Sequence, residues 1–434
     1  MRWFVPALRC LLTTLPISAF PFYGAEVARV EAAGIKSTGL EIAASGNACV
    51  ESYDFSKGQP LPAFTGHASS VGPMALADVD GDGDLDLFIG GQVIPGQYPL
   101  PADSLLFRQA NGQWVLDEET TRLLRGVGLV NGAVWSDLDG DGFPELVLAC
   151  EWGPIRVFQN QAGRLREVTG EVGLAGHTGR WTGVTTGDLD EDGRLDLIAG
   201  NWGINSHDQA SPEQPLHLYF GDLAGSGNVD ILEAEFDPVR GQYAPRHLRE
   251  TLQAALPFLA ERFPTHRAWS RATIVEVAGE RRNFLRQLSV TTLASTVFFN
   301  RQGRFEARPL PVEAQLAPVF GVSVADLVVT QNATPTKLYR NVGARPGLRV
   351  RLQGPPSNPD GVGAVLRLRC GDRWGPAREL HAGSGYWSQD SVTAVLGIRA
   401  APRAVQVRWP GGKISEQPVG ENTAEITVRY RAER

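Results

Sequence analysis

Three times in this 434-residue chain, carboxylates recur on alternate positions of a nine-residue frame with a glycine at the sixth. DVDGDGDLD puts Asp78, Asp80, Asp82, Gly83 and Asp86 at positions 1, 3, 5, 6 and 9. WSDLDGDGFPELVLA does the same with Asp137, Asp139, Asp141, Gly142 and Glu145, and TTGDLDEDGRLDLIAG with Asp188, Asp190, Asp192, Gly193 and Asp196. Position 7 varies (Asp84, Phe143, Arg194), as expected where only its backbone carbonyl is used. A hard cation wants oxygen ligands converging from a tight turn, with a glycine permitting the bend, and calcium fits that demand. One copy reads equally well as a solvated acidic turn; three copies at one spacing do not.

The frame is not an EF-hand. That loop needs a bidentate Glu at position 12, where this chain has Ile89, Leu148 and Ala199. The flanks read as strands: short small or apolar runs (MALA, AVWS, VTTG) lead in, and LDLFIG, ELVLA and LDLIAG lead out. The expectation is a β-hairpin closed by an ion, with the position-9 carboxylate opening the outgoing strand.

A second pattern trails the loops. LLFRQANGQW (Leu105 to Trp114), RVFQNQAGRL (Arg156 to Leu165), VFFNRQGRF (Val297 to Phe305) and LYRNVG (Leu338 to Gly343) each join an apolar strand to a polar Asn or Gln turn with glycine. Two hairpins make a four-stranded unit of roughly 50 residues, which cannot bury both faces alone and is expected to stack around an axis as a propeller blade.

These repeats resemble the FG-GAP/VCBS type of the integrin α-subunit head and of many bacterial exported proteins, over roughly residues 65–345. The resemblance implies calcium-stapled β-propeller blades, with the repeat region extending over 35–345. It specifies fold and metal, and leaves activity open.

Two units depart from the pattern. YFGDLAGSGNVDIL keeps Asp222, Gly227 and Asp230 but has Ala224 and Ser226 at positions 3 and 5, with Asn228 at 7, so a fourth ion is expected to bind weakly. In FGVSVADLVVTQN the strand before a loop looks fused to the strand after it at Asp326, and one continuous strand over Val322 to Thr330 is expected, leaving the ring short, open or irregular. Between them, from about 245 to 289, the pattern turns helical. Leu248, Leu252, Leu256, Leu259 and Phe263 form one apolar stripe, with Pro257 set to break the helix and Pro264 to stop it. The stripe is expected to pack on its own blade, with a partner-binding helix as the alternative.

Beyond NVGARPG a second, small β domain is expected over 348–430, from the alternating strands LRVRLQG, AVLRLRCG, AVQVRWPGG and AEITVRY. Its motifs NPDGVGAVLRL (Asn358 to Leu368), HAGSGYWSQDS (His381 to Ser391) and VRWPGGK (Val407 to Lys413) resemble the ASPIC/UnbV module. That module commonly follows such repeats, including in proteins similar to cartilage acidic protein. A nucleophile at Ser384 beside His381 is not supported, because Ala382 and Tyr386 stand where GxSxG has glycines. His177, His207 and His217 are scattered and read as surface or loop residues.

Charge and cysteines bound the rest. The net charge of −7 argues against nucleic acid as the main partner, and the acidity is concentrated in the three loops. Four cysteines (Cys10, Cys49, Cys150, Cys370) lie far apart and define neither a disulfide framework nor a zinc site. No apolar run is long enough to span a bilayer. MRWFVPALRCLLTTLPISAF has the outline of a signal peptide over residues 1–25, interrupted by Arg9 and two prolines. A secreted, periplasmic or cell-surface location is expected.

Three functional classes follow. The first is an exported propeller, stabilised by about three structural calcium ions, that binds a protein or glycan. The second is an enzyme acting on polysaccharide or phosphoester. The third is a shortened, non-functional member of the family. No separate acid–base or nucleophile set stands out, so no catalytic residues are assigned and the binding reading leads.

Overall fold

The computed structural model describes residues 42–44, 50–54, 59–61, 70–324, 327–331, 337–339, 347–383, 391–398 and 400–431. The expected signal segment, Cys10, Cys49 and Ser384 lie outside the described residues.

The outgoing strand of the second loop explains the architecture. In Leu146-Val147-Leu148-Ala149 every side chain is buried, although successive residues point to opposite faces of a sheet. Leu146 and Leu148 pack with Ala75, Phe88 and Leu106 of the preceding sheet, while Val147 and Ala149 pack with Val184, Leu197 and Phe298 of the following one. A sheet apolar on both faces must lie between two others, and that is the stacking of propeller blades.

The protein is mainly β, and its blades are antiparallel sheets. The first holds Val71–Ala77, Asp86–Gly91, Leu105–Ala110 and Gln113–Leu116 in chain order. The second pairs Leu129–Ser136 with a long run, Glu145–Gln161, whose far end pairs with Arg164–Glu167; Trp152, at φ +56°, turns the chain between the two halves. The third holds Gly183–Gly187, Asp196–Gly200, Thr296–Asn300 and Phe305–Pro309. The fourth is the sheet of Val319–Val324, Leu327–Gln331 and Lys337–Tyr339. The innermost strands approach so closely that a Cβ at Gly132 would stand 2.7 Å from the Cα of Gly183 in the next blade. The array of sheets is open, a loose propeller rather than a closed ring.

Two expectations are corrected. Val322 to Thr330 is not one strand. Val319–Val324 and Leu327–Gln331 pair antiparallel with Val324 opposite Leu327, because two intervening residues suffice for a hairpin turn even where the ion loop is missing. The hairpin carrying Asp222 and Asp230 is not a blade of the stack either. It belongs to a separate sheet (Leu216–Gly221, Asp230–Asp237, Gln242–Pro245, Arg286–Val290) inserted between the second and third strands of the third blade. VFFNRQGRF is therefore the trailing hairpin of the third loop, displaced along the chain by the insertion.

The helical stretch breaks where the prolines sit. Helices cover Arg249–Ala255 and Leu259–Arg262, on either side of Pro257, and two further short helices cover His266–Trp269 and Ile274–Ala278. Leu252, Leu256, Leu259 and Phe263 pack on Leu223, Leu232 and Ala234 of the inserted sheet. Leu248 departs from the stripe: it precedes the first helix at φ −62°, ψ 149° and is 73% exposed. Among the described residues no helix is long and apolar enough to cross a membrane.

Residues from Leu348 onward form two sheets around one core. Leu348–Gln353 lies between Thr393–Leu396 and Glu425–Arg429, and Val365–Cys370 pairs with Pro402–Arg408, which in turn pairs with Ile414–Pro418. Val350, Leu366, Val405, Val407 and Trp409 fill the space between them.

Leu146→Ala removes a fully buried side chain between two blades and is expected to cost about 3 kcal/mol in urea unfolding. Leu248→Ala, at an exposed position, is expected to change stability by less than about 0.5 kcal/mol; equal costs would contradict the packing described.

Candidate metal centre

Each loop is tied by its own carboxylates. Asp78 accepts from the Gly81 and Gly83 amides at 2.8 and 3.0 Å, and Asp137 from the Gly140 and Gly142 amides at the same distances. In the third loop Asp188 accepts from Gly193 N at 2.9 Å. Gly83, Gly142 and Gly193 sit at φ +95°, +99° and +90°, which explains the glycine at position 6. Position 4 is left-handed as well (Gly81, Gly140 and, with a side chain, Glu191 at φ +66°), a constraint the sequence reading missed.

The position-5 carboxylates Asp82, Asp141 and Asp192 each accept from the amide of position 7 (Asp84, Phe143, Arg194) at 2.8 to 2.9 Å. The position-9 carboxylates reach across the hairpin. Asp86 accepts from Val79 N and Gln109 N, Glu145 from Leu138 N and Asn160 N, and Asp196 from Leu189 N and Asn300 N.

Carboxylate oxygens converge in all three loops. Those of Asp78, Asp80 and Asp82, of Asp137, Asp139 and Glu145, and of Asp188, Asp190 and Asp196 lie within 4.8 Å of one another, close enough to share a cation. Asp86 stands outside the first trio, with Arg108 Nη1 3.1 Å from its Oδ2. Asp141 and Asp192 stand outside the other two; Asp192 is paired with Arg194. Asp222 and Asp230 form no such trio: two carboxylates with Ser226 and Asn228 make an exposed turn held by amides at Ala224, Ser226 and Gly227.

Burial dominates the electrostatics. It pushes Asp78 up to about 7, Asp86, Asp137 and Asp196 to about 6, and Glu145 to about 9. Asp188 is raised too, chiefly by burial. Buried carboxylates this close together stay ionised only beside a compensating positive charge. The Oδ1 atom of Asp188 is buried with no hydrogen-bond partner, which fits an oxygen reserved for a cation. The residues present therefore suit a hard divalent ion.

Asn160 and Asn300, read from sequence as turn residues of the trailing hairpins, are fully buried. Asn160 donates to Val79 O of the preceding blade's loop at 2.8 Å and to Pro144 O of its own at 3.0 Å. Asn300 does the same with Leu138 O and Leu195 O, at 2.9 and 3.2 Å. Each asparagine thus stitches one blade's loop to the next. The recurrent Asn-x-x-Gly of the trailing hairpins was the available signal: Gly163 N and Gly303 N donate back to the two side chains.

The C-terminal sheets sit on the loops. Ser357 Oγ donates to Gly83 O. Arg408 Nη1 lies 2.7 Å from Asp137 Oδ2, and Gly411 N donates to Gly142 O at 3.2 Å. Ala377 N donates to Asp188 Oδ2 at 2.9 Å. Glu379 is fully buried and pushed up to about 8, chiefly by burial, and accepts from Ser136 Oγ and Asp137 N. His381 bridges Thr186 Oγ1 and Trp135 O, each at 3.0 Å, and Ala382 O accepts from Leu76 N. Residues 379–382 thereby cross the innermost strands of the first three blades. His381 is a packed interface residue. His177 stacks edge-on to Phe298, His207 is 79% exposed, and His217 meets Ser289 at 2.9 Å.

Comparison with known families finds one matching segment among the blades and one at the C-terminal end. An FG-GAP-like repeat matches residues 137–199, and an ASPIC and UnbV domain matches residues 354–433. The chain carries an FG-GAP-like repeat and a C-terminal ASPIC/UnbV domain. FG-GAP repeats are typical of extracellular proteins. No curated protein matches it. Among solved structures, an exotype rhamnogalacturonan lyase, YesX, is similar at a TM-score of 0.24 and 12% identity, over 91% of this chain and 68% of that one. The FG-GAP match covers the second and third loops, and all three motifs that carried the ASPIC/UnbV resemblance contribute to the face turned toward the loops.

Asn160→Ala would leave two buried carbonyls without a donor, and a loss of about 2 kcal/mol is expected. Equilibrium urea unfolding measures it; a loss below about 0.5 kcal/mol would show that the stitch between blades is dispensable.

Proposed function

We propose that the protein is an exported binding module whose propeller is held by structural calcium and whose partner is a protein or a glycan. The observation that carries the reading is the convergence of carboxylates in all three loops, at positions 1, 3 and 5 in the first and at positions 1, 3 and 9 in the other two. The ligands offered are Asp78, Asp80, Asp82 and Asp86 with the Asp84 carbonyl; Asp137, Asp139, Asp141 and Glu145 with the Phe143 carbonyl; and Asp188, Asp190, Asp192 and Asp196 with the Arg194 carbonyl. Calcium accepts six to eight oxygens in flexible geometry, whereas magnesium demands a tighter octahedron. Three such ions would take the net charge from −7 to −1.

A structural role for calcium follows from where the loops lie. They close hairpins whose outgoing strands form the blade cores, and they carry the docking contacts of the ASPIC/UnbV domain. The loop acids are engaged by backbone amides and by one another, which suits a clasp better than an acid–base pair. The binding reading is thus preferred over hydrolysis of a polysaccharide or phosphoester.

Chelation is expected to lower the melting temperature by several degrees, since a ligand that binds only the native state stabilises it by mass action. Calorimetric titration of the apo chain is expected to give three calcium equivalents. Asp137→Ala should remove one equivalent and lower the melting temperature, while Asp222→Ala should leave three. Unchanged melting after chelation, or equal effects of the two substitutions, would defeat the assignment. A glycan array and a pull-down with the calcium-loaded chain test the binding role itself.

A further inference from the structure

The innermost strands have two ends. One carries the acidic loops and is covered by the ASPIC/UnbV domain; at the other lies a cavity of about 270 Å³ lined by Gln92, Asn131, Glu151, Arg180, Thr182 and Trp202, with Phe320 of the fourth blade beside them. These residues come from all four blades or the turns just outside them, so the cavity is a product of the stacking. None is a candidate metal ligand.

We propose that this cavity binds one neutral pyranose ring, the terminal sugar of a glycan. The proposal rests on the binding-module reading above and narrows it to one ligand class and one end of the propeller.

Size limits the ligand first. The volume equals that of about nine liquid water molecules and lies just below the range of about 300–1,000 Å³ usual for pockets that take larger ligands. It has room for one six-membered ring.

Charge limits it next. Arg180 stands 3.6 Å from Glu151 Oε1 and 3.5 Å from Asp208 Oδ2, and Arg246 lies between Asp208 and Glu233. Two guanidiniums thus face three carboxylates, so a uronate or phosphate would meet an excess of its own charge. An ammonium group would seek the tryptophan faces. Arg180 already covers one face of each ring with a cation, its guanidinium carbon 4.3 Å from the Trp202 centroid and 5.3 Å from that of Trp152, and a second cation there would meet its charge.

What remains suits hydroxyl groups, which both donate and accept. Gln92 Nε2 donates to Asn131 Oδ1 at 2.9 Å, and Asn131 Nδ2 donates to Trp181 O at 3.0 Å. Each amide keeps a second N–H and spare lone pairs for a ligand. The Thr182 hydroxyl donates to Val319 O and keeps acceptor capacity. Tyr98 Oη accepts from Trp152 Nε1 at 2.6 Å and donates to Glu151 Oε1, holding that carboxylate against the Arg180 side of the cavity. Trp202 and Phe320 supply the apolar surface on which the C–H face of a sugar ring packs.

The test is saturation-transfer NMR and calorimetry on the full calcium-loaded chain with glucose, galactose, mannose and rhamnose, and with galacturonate and glucosamine as charged probes. At least one neutral sugar is expected to bind saturably, with a Kd on the order of millimolar, as befits so few ligand atoms. The charged probes should bind at least tenfold more weakly. Trp202→Ala and Gln92→Ala should each weaken neutral-sugar binding tenfold or more while keeping the calcium stoichiometry and melting temperature of the unaltered chain; Gln92, at the rim, covers the case in which Trp202→Ala fails to fold. Absence of saturable binding by every neutral sugar, preference for a charged probe, or binding indifferent to both substitutions would overturn the proposal. A positive array or pull-down that none of the neutral sugars competes would leave the protein a binding module and remove the ligand from this cavity.

Discussion

One buried carboxylate per loop holds the propeller together. At position 9 it takes an amide from the loop itself (Val79, Leu138 or Leu189) and another from the third strand of the same blade (Gln109, Asn160 or Asn300). A side chain at the start of the outgoing strand thereby sets both the closure of the hairpin before it and the register of the strand beside it. In the second and third blades the third-strand residue is an asparagine that also reaches the preceding loop, so closure of one blade is mechanically joined to its neighbour. Buried acids gathered this way disfavour their own ionisation, and a hard cation relieves that cost with its charge. The frame has a physical reason to recur in the first three blades, since each is closed by the same clasp.

The ASPIC/UnbV domain is built onto those clasps. Arg408 meets Asp137, Ala377 meets Asp188, and Ser357 meets the carbonyl of Gly83. The glycine at position 6 therefore serves twice in the second loop: its φ of +99° makes the turn, and its bare Cα admits Gly412, which a Cβ would meet at 2.7 Å. Glu379 adds a buried acid whose hydrogen bonds all go to the second loop's approach, Ser136 and Asp137. Stability of the loops and attachment of the domain thus share the same atoms, and loosening one loosens the other.

Much of this was legible because it was periodic. Alternate carboxylates, the glycine at position 6 and continuous apolar runs such as ELVLA carry local signals, and the loops, strands and stacked blades follow from them. What could not be read depended on distance along the chain. The third blade's trailing hairpin lies about a hundred residues after its loop, so the Asp222 hairpin between them was counted as a blade when it is an insertion. Asn160 and Asn300 were taken for turn residues, since nothing local shows that a turn asparagine will be buried against a neighbouring blade. The strand over Val322 to Thr330 failed for a simpler reason: Val324 pairs opposite Leu327, so the chain reverses direction even where the ion loop is missing. The docking face made by residues 377–382 and 408–412 was visible only as motifs, because alternation along a strand reveals that a face is buried and not against what.

The two ends of the propeller are not equivalent, and the asymmetry bears on where a partner can bind. The loop end is committed: its carboxylates hold amides and one another, and residues 377–382 lie across the strands that would otherwise open there. The opposite end gathers a different chemistry. Glu151 and Asp208 flank Arg180 with a carboxylate in excess, Trp152 and Trp202 pack against the guanidinium, and the side-chain amides of Gln92 and Asn131 line the cavity. One end is taken up by the clasps and the attached domain; at the other the blades converge on a small polar and aromatic cavity. The clasps thus act on that cavity from a distance, by fixing the spacing between the blades that line it.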